Sequence, residues 1–164
     1  GLEIDYALED EPLGTIGPLA FVEDLGEDFL VMNGDVLTDL DPMALYGEHL
    51  KRGGDLTIAT YQRRVDVDFG VVSVDDHSSE ITGFVEKPTH RYEVSMGVYA
   101  MNRRVLEHFA HGESFGFDQL VLALLAKKRT AHRVLHTGEW LDIGRPHDYD
   151  AAQEHPVWGK ELEE

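Results

Sequence analysis

Asp35 closes the run Phe29-Leu30-Val31-Met32-Asn33-Gly34-Asp35, where four apolar residues lead into Asn-Gly-Asp and read as a buried strand stopping at a carboxylate. Open α/β sheets bind ligands in the crevice beyond the carboxyl ends of their strands, so Asp35 falls on the working edge. Asp142 has a matching context in Trp140-Leu141-Asp142-Ile143-Gly144, whose glycine lets backbone come close to something. Two carboxylates from separate strands suit a hard divalent ion that also takes phosphate oxygens, the usual way of holding Mg²⁺. The plainer alternatives are an Asn-Gly-Asp turn at Asp35 and a turn or helix-capping acid at Asp142, and spacing alone leaves both open.

Glu86-Lys87-Pro88 is a second candidate. A strand that ends in a charged pair and is frozen by proline can aim an ammonium group into the crevice, where lysine serves as a point charge for phosphate. An exposed surface pair is the commoner fate of Glu-Lys. Pro12-Leu13-Gly14-Thr15-Ile16-Gly17-Pro18 runs into a helix and could admit a planar or anionic ligand against backbone N–H groups. It is neither a Walker A loop nor a dinucleotide fingerprint, and a structural turn explains it as well. Asp39-Leu40-Asp41 matches the Asp-X-Asp of metal-dependent glycosyltransferases, yet Asp41 before Pro42 is better read as a helix N-cap. His108 and His111 lack zinc spacing and a third ligand, and read as surface residues. His132 and His136 share a strand face without an assigned role, and no serine stands in a nucleophile-elbow context.

The elements that must position these residues follow from pattern. Leu2 to Tyr6 alternates like a strand, and Gly17-Pro18 opens a short helix through Leu25. After the Phe29 strand, Asp41-Pro42 starts a helix that stops at Gly53-Gly54, followed by a strand from Leu56 to Tyr61. Phe69 to Val74 and Ile81 to Glu86 flank Asp75-Asp76-His77-Ser78-Ser79 as a hairpin. A strand at Val94 to Met101 is followed by helices at Arg103 to His111 and Asp118 to Lys128. Strands at Arg133 to His136 and Trp140 to Ile143 precede a helix at Pro146 to Gln153. Strands alternating with helices, interrupted by one hairpin, indicate an α/β sheet with mixed pairing.

The length of 164 residues fits one domain with a real core, taken as 1–155, and an acidic tail at 156–164 expected to be poorly ordered. With no cysteine, thiolate metal sites and cysteine nucleophiles are excluded, and a reducing cytoplasm fits. No stretch approaches the ~20 apolar residues of a membrane span, and no signal-peptide pattern occurs, so no membrane association is expected. The 14 basic and 32 acidic residues give a net charge of −18, which repels phosphate backbones and argues against nucleic acid as a partner. A small phosphorylated substrate remains compatible if a cation and a few placed basic residues offset that field.

In order along the chain, these pieces resemble the sugar-1-phosphate nucleotidyltransferases, in particular mannose- or heptose-1-phosphate guanylyltransferases. The resemblance rests on Tyr6 to Glu9 leading into Pro12 to Gly17, then Phe29 to Asp35, Phe69-Gly70-Val71-Val72, Phe84 to Pro88, Ser95-Met96-Gly97-Val98-Tyr99 and Trp140 to Gly144. It implies a Rossmann-like (GT-A type) mixed, mostly parallel sheet flanked by helices. It further implies Mg²⁺ on Asp35 and Asp142, Lys87 on the sugar phosphate and Glu86 on sugar hydroxyls. Gly70 and Gly97 would lie under the sugar, and Leu13, Gly14 and Thr15 would meet the base. The implied substrates are an NTP, GTP favoured, and a sugar 1-phosphate.

Two departures stand out: Ile16 replaces the usual small residue, and Ser95-Met96-Gly97 replaces the frequent Asn-Ala-Gly. The family's opening strand and Gly-rich triphosphate loop are not in this sequence, which starts at Gly1 without Met and reads as N-terminally truncated. The pattern puts the absent strands between the Leu2 and Phe29 strands. The chain is therefore expected to form a homo-oligomer through that gap and to keep a sugar-phosphate half-site with weak or no turnover. The competing readings are a non-catalytic regulatory subunit that binds a nucleotide sugar, and a GT-A glycosyltransferase using Asp39 and Asp41.

Overall fold

The computed structural model describes residues 3–155 and Trp158, so Leu2 and the acidic tail, except Trp158, lie outside the described residues. Residues 3–10 form no helix or strand, and Ile4, Tyr6 and Leu8 are exposed. The strand expected at 2–6 is therefore not formed over 3–6. Alternation supplies one face of a strand, but without a neighbour its N–H and C=O groups gain nothing over water. The helix expected to reach Leu25 is a single 3-10 turn, Gly17–Phe21, entered through Pro18.

Strand β1 (Asp28–Met32) leads to β2 (Val36–Thr38) and then to helix α1 (Pro42–Arg52). Asp41 caps α1 by accepting the Met43 N–H at 2.9 Å, and Gly53 ends it at φ 67°, a left-handed value glycine adopts freely. Strand β3 (Leu56–Asp66) runs well past Tyr61 because it pairs with the equally long β6. Strands β4 (Val71–Val74) and β5 (Ile81–Val85) form the expected hairpin. Strand β6 (Thr89–Asn102) is followed by a 3-10 helix, Arg103–His108, where an α-helix to His111 was expected. Helix α2 (Phe117–Ala126), strands β7 (Ala131–His136) and β8 (Trp140–Asp142), and helix α3 (Pro146–Glu154) complete the order.

The main sheet has the order β1-β6-β3-β7. β1, β3 and β7 share one direction and β6 opposes them, since β1·β6 and β3·β6 are antiparallel and β3·β7 is parallel. The period-two alternation of β6 gives each face its own core. Tyr99 and Met101 join Phe29, Leu56, Leu120 and Leu124 beneath α2, whereas Met96, Val98 and Ala100 join Ala59 and Leu45 beneath α1. The result is a Rossmann-like layering of helices on both faces of a mixed sheet. β1 pairs with β6 alone, so its outer edge has no strand partner among the described residues. No helix among those residues is long and apolar enough to cross a membrane.

Candidate functional site

β1 and β6 deliver Asn33 and Gly97 to the same point, where the Asn33 N–H donates to the Gly97 carbonyl at 2.8 Å. Gly97 has φ +78°, and a Cβ there would lie 2.8 Å from Asn33 Nδ2 and 3.1 Å from Val36 Cγ2. Conformation and crowding together require glycine at this position. Just beyond, β2 and β8 pair antiparallel with Val36 opposite Asp142, and the Ile143 N–H donates to the Asp35 carbonyl at 2.9 Å. That short ladder brings the two predicted acids together although 107 positions separate them in the sequence. A Cβ built on Gly144 would stand 2.7 Å from Asp35 Oδ2 and 3.2 Å from Asp142 Oδ1. Both carboxylates thus crowd one small space that only a hydrogen atom leaves open.

They line a crevice of about 270 Å³. Asn33, Val36 and Gly97 line it with the two acids, together with Arg63, Trp140 and Arg145. Trp140 is pinned by its indole N–H, which donates to the Met96 carbonyl at 3.0 Å. Arg63 reaches in from β3, its guanidinium 5.7 Å from the centre of the Trp140 ring. Its Nη1 and Nη2 donate to the two oxygens of Asp148 at 3.0 and 2.9 Å, a bidentate pair that roots the wall in the first turn of α3. The Arg63 hydrogen bonds hold the buried Asp148 carboxyl below the usual carboxylate range against the opposing pull of burial, with smaller help from the Asp142 main chain and the Arg145 charge. Asp148 in turn raises the Arg63 guanidinium, and the Asp142 charge adds to that.

The other predicted residues lie elsewhere. At the hairpin mouth a Cβ on Gly70 would strike the Phe84 ring and stand 3.1 Å from Glu86 Oε2, so Gly70, Phe84 and Glu86 form one group. Lys87 has the left-handed φ of 43°, and its N–H donates to the Phe69 carbonyl at 3.3 Å. Neither Glu86 nor Lys87 lines the crevice between the carboxylates and Trp140. Leu13, Gly14 and Thr15 pack against the start of α2. The Phe115 N–H donates to Leu13 at 2.8 Å, Thr15 Oγ1 accepts the Phe117 N–H at 3.0 Å, and Gly14 abuts the Phe115 carbonyl at φ +76°. Ile16 is fully buried among Phe29, Tyr99 and Leu120, a core position.

Asp39 accepts from the Glu139 N–H at 2.7 Å and meets His136 Nε2 at 2.8 Å, so neither member of Asp39-Leu40-Asp41 faces the crevice. The Glu139 bond leads in holding the Asp39 carboxyl below its ordinary value. His108 is partly buried, with its Nδ1 unpartnered, so it is not the plain surface residue expected. Arg63, Arg145 and Asp148 were not singled out by sequence reasoning. The usable signal was Arg145, a cation three residues from a predicted ligand.

Among the described residues no group of three or more His, Asp or Glu could hold a metal unaided. Two convergent carboxylates around an open space fit Mg²⁺ nonetheless, because that ion keeps several water or substrate oxygens.

A family model described as nucleotidyl transferase matches residues 1–156. The catalytic subunit beta of mannose-1-phosphate guanylyltransferase from Dictyostelium discoideum is 31% identical over 154 residues, 91% of this chain and 43% of that protein. The D-glycero-alpha-D-manno-heptose 1-phosphate guanylyltransferase of Aneurinibacillus thermoaerophilus is 31% identical over 156 residues, 93% of this chain and 67% of that protein. The crystal structure of HddC from Yersinia pseudotuberculosis complexed with GMP-PN matches with a TM-score of 0.61 and 27% identity, over 89% of this chain and 64% of that one. The chain thus spans less than half the length of the first of these relatives.

Proposed function

The chain belongs to the nucleotidyl transferase family, and on that premise we propose that it serves the transfer of a nucleoside monophosphate from an NTP, with GTP the favoured donor, to a sugar 1-phosphate. The observation that carries this reading is the convergence of Asp35 and Asp142 on the open space at Gly144, in a crevice that Gly97 also lines. Its guanylyltransferase relatives support GTP as donor and mannose or heptose 1-phosphate as acceptor.

In the reaction an oxygen of the sugar phosphate attacks the α-phosphorus of the NTP. A new P–O bond forms as the bond to the β-phosphate breaks, and the leaving electron pair goes out on pyrophosphate. Such chemistry depends on positioning and charge neutralisation. Asp35 and Asp142 would hold Mg²⁺, which supplies positive charge to the phosphate oxygens. Gly97 lets the sugar lie against main chain. Glu86 would meet sugar hydroxyls, Gly70 would lie under the sugar and Lys87 would meet the phosphate, roles that need the hairpin to come over the crevice. Leu13 to Thr15 would present backbone to the base.

A cytoplasmic location goes with this reading, supported by the cysteine-free composition. So does a homo-oligomer, supported by the unpartnered outer edge of β1, and light scattering that shows a monomer at high concentration would refute it. The glycosyltransferase alternative is not favoured, because Asp41 caps α1 and Asp39 is engaged by Glu139 and His136.

The test is pyrophosphate release with Mg²⁺, GTP and a panel of sugar 1-phosphates, measured on these 164 residues and on the full-length gene product. Release coupled to nucleotide-sugar formation by either supports the transferase. Release from neither, with a nucleotide sugar still bound, replaces it with a regulatory binding module.

A further inference from the structure

With the two acids, the crevice carries two arginines to which the family reading gives no role. Arg63 is the more constrained. Two of its five N–H donors go to Asp148, whose side chain is nearly inaccessible at 5% exposure. Trp140 backs the guanidinium, and the Nε–H has no hydrogen-bond partner among the described residues. The clamp removes rotamer freedom before any ligand arrives, so less is lost when the remaining donors bind an anion. Arg145 is the second cation. It lies between β8 and α3 on the same crevice wall, exposed, and its side chain makes no hydrogen bond or ion pair among the described residues.

A cation held by Asp35 and Asp142 with two guanidinium groups beside it is the electrostatic complement of a metal-bound phosphate. Lys87, the cation chosen from sequence, stands outside this crevice. Resting on the transferase reading, we propose that Arg63 and Arg145 bind the phosphate of the sugar 1-phosphate, with Asp148 as the residue that positions Arg63.

Isothermal titration of the full-length protein with mannose 1-phosphate, mannose and inorganic phosphate, in Mg²⁺, tests this. Arg145→Ala removes no contact the fold uses, so its melting temperature should not move. Its affinity for mannose 1-phosphate should fall about tenfold or more, as for loss of a charged hydrogen bond, and competition by inorganic phosphate should weaken in parallel. Arg63→Lys keeps the charge but loses the planar fork, and should weaken mannose 1-phosphate while the small affinity for mannose stays. Asp148→Asn should produce the same loss through a mobile Arg63, with Arg63→Lys adding little to it in the double variant. Unchanged affinity for mannose 1-phosphate in both Arg145→Ala and Arg63→Lys, with the parent protein binding it, overturns this assignment and leaves the transferase reading intact. A parent protein that binds neither mannose 1-phosphate nor a nucleotide sugar overturns both.

Discussion

Strand β3 carries a carboxylate–arginine cluster at each end, and the two clusters differ in what surrounds them. At its start, buried Asp55 takes Arg104 Nε at 2.7 Å and Arg129 Nε and Nη2 at 2.7 and 2.9 Å, so one carboxylate is saturated by two arginines. Arg104 also donates to the Gly54 carbonyl at 3.2 Å, so the cluster ties the segment entering β3 to the 3-10 helix after β6 and to the turn between α2 and β7. Near its other end one arginine meets one carboxylate, Arg63 to Asp148, and the pair borders a crevice shared with Asp35, Asp142 and Arg145, whose side chain makes no hydrogen bond or ion pair among the described residues. Ion pairing alone does not separate a fastener from a binding site. A place beside two further carboxylates at the carboxyl end of the sheet does.

The largest expected effect falls at the crevice. Asp142→Asn should lower nucleotide-sugar formation by about a hundredfold or more in a steady-state assay, since a charge aimed at the reacting phosphates is lost, with little change in melting temperature. At the saturated cluster, Asp55→Ala should do the opposite. It strands two guanidinium groups and should cost about 2 kcal/mol in urea unfolding, less than a fully buried pair because both arginines are partly exposed, while activity per folded molecule stays the same.

Gly144→Ala sharpens the contrast within the crevice. The new methyl would enter the space between the carboxylates, 2.7 Å from Asp35 Oδ2, which a flexible side chain can yield only by abandoning the cradle. Mg²⁺ dependence should shift to about tenfold higher concentration, with stability nearly unchanged.

The smallest effect is common to both clusters. Burial alone would raise Asp55, yet Arg129 and Arg104 outweigh it, and Arg63 likewise lowers Asp148. Folded-state values below the unfolded one mean stability fully present above the unfolded carboxylate range near about pH 4 and lost as pH falls toward the folded values. Asp55→Asn and Asp148→Asn should each flatten that acid limb of a stability–pH curve, and an unaltered slope would contradict the pairing.

The comparison also explains what was legible in the sequence. That Asp35 and Asp142 would come from strands to one sheet edge was legible because Asp35 ends an apolar run and Asp142 stands before a glycine in a short strand, both local signals, and Asp41-Pro42 carried its own capping chemistry. Arg63 could not, because its partner lies 85 residues away. The polar stretch Gln62-Arg63-Arg64 also looked like the end of a strand, when pairing with β6 carries β3 on to Asp66. Leu13 to Thr15 read equally as a ligand loop or a structural turn, because glycine and threonine that cap the start of α2 carry the same local signal. The alternating segment from Leu2 failed as a strand over 3–6 for want of a neighbour, which no periodicity can report.

On the proposed reading, Asp35 and Asp142 form one cation site with the bound substrate. Mn²⁺ in place of Mg²⁺, titrated by water-proton relaxation in the presence of GDP-mannose, measures that site without requiring turnover. The expected result is a bound ion whose affinity falls at least about tenfold in Asp35→Asn and in Asp142→Asn alike, with little further loss in the double variant. Equal Mn²⁺ affinity in the parent protein and both single variants would contradict it.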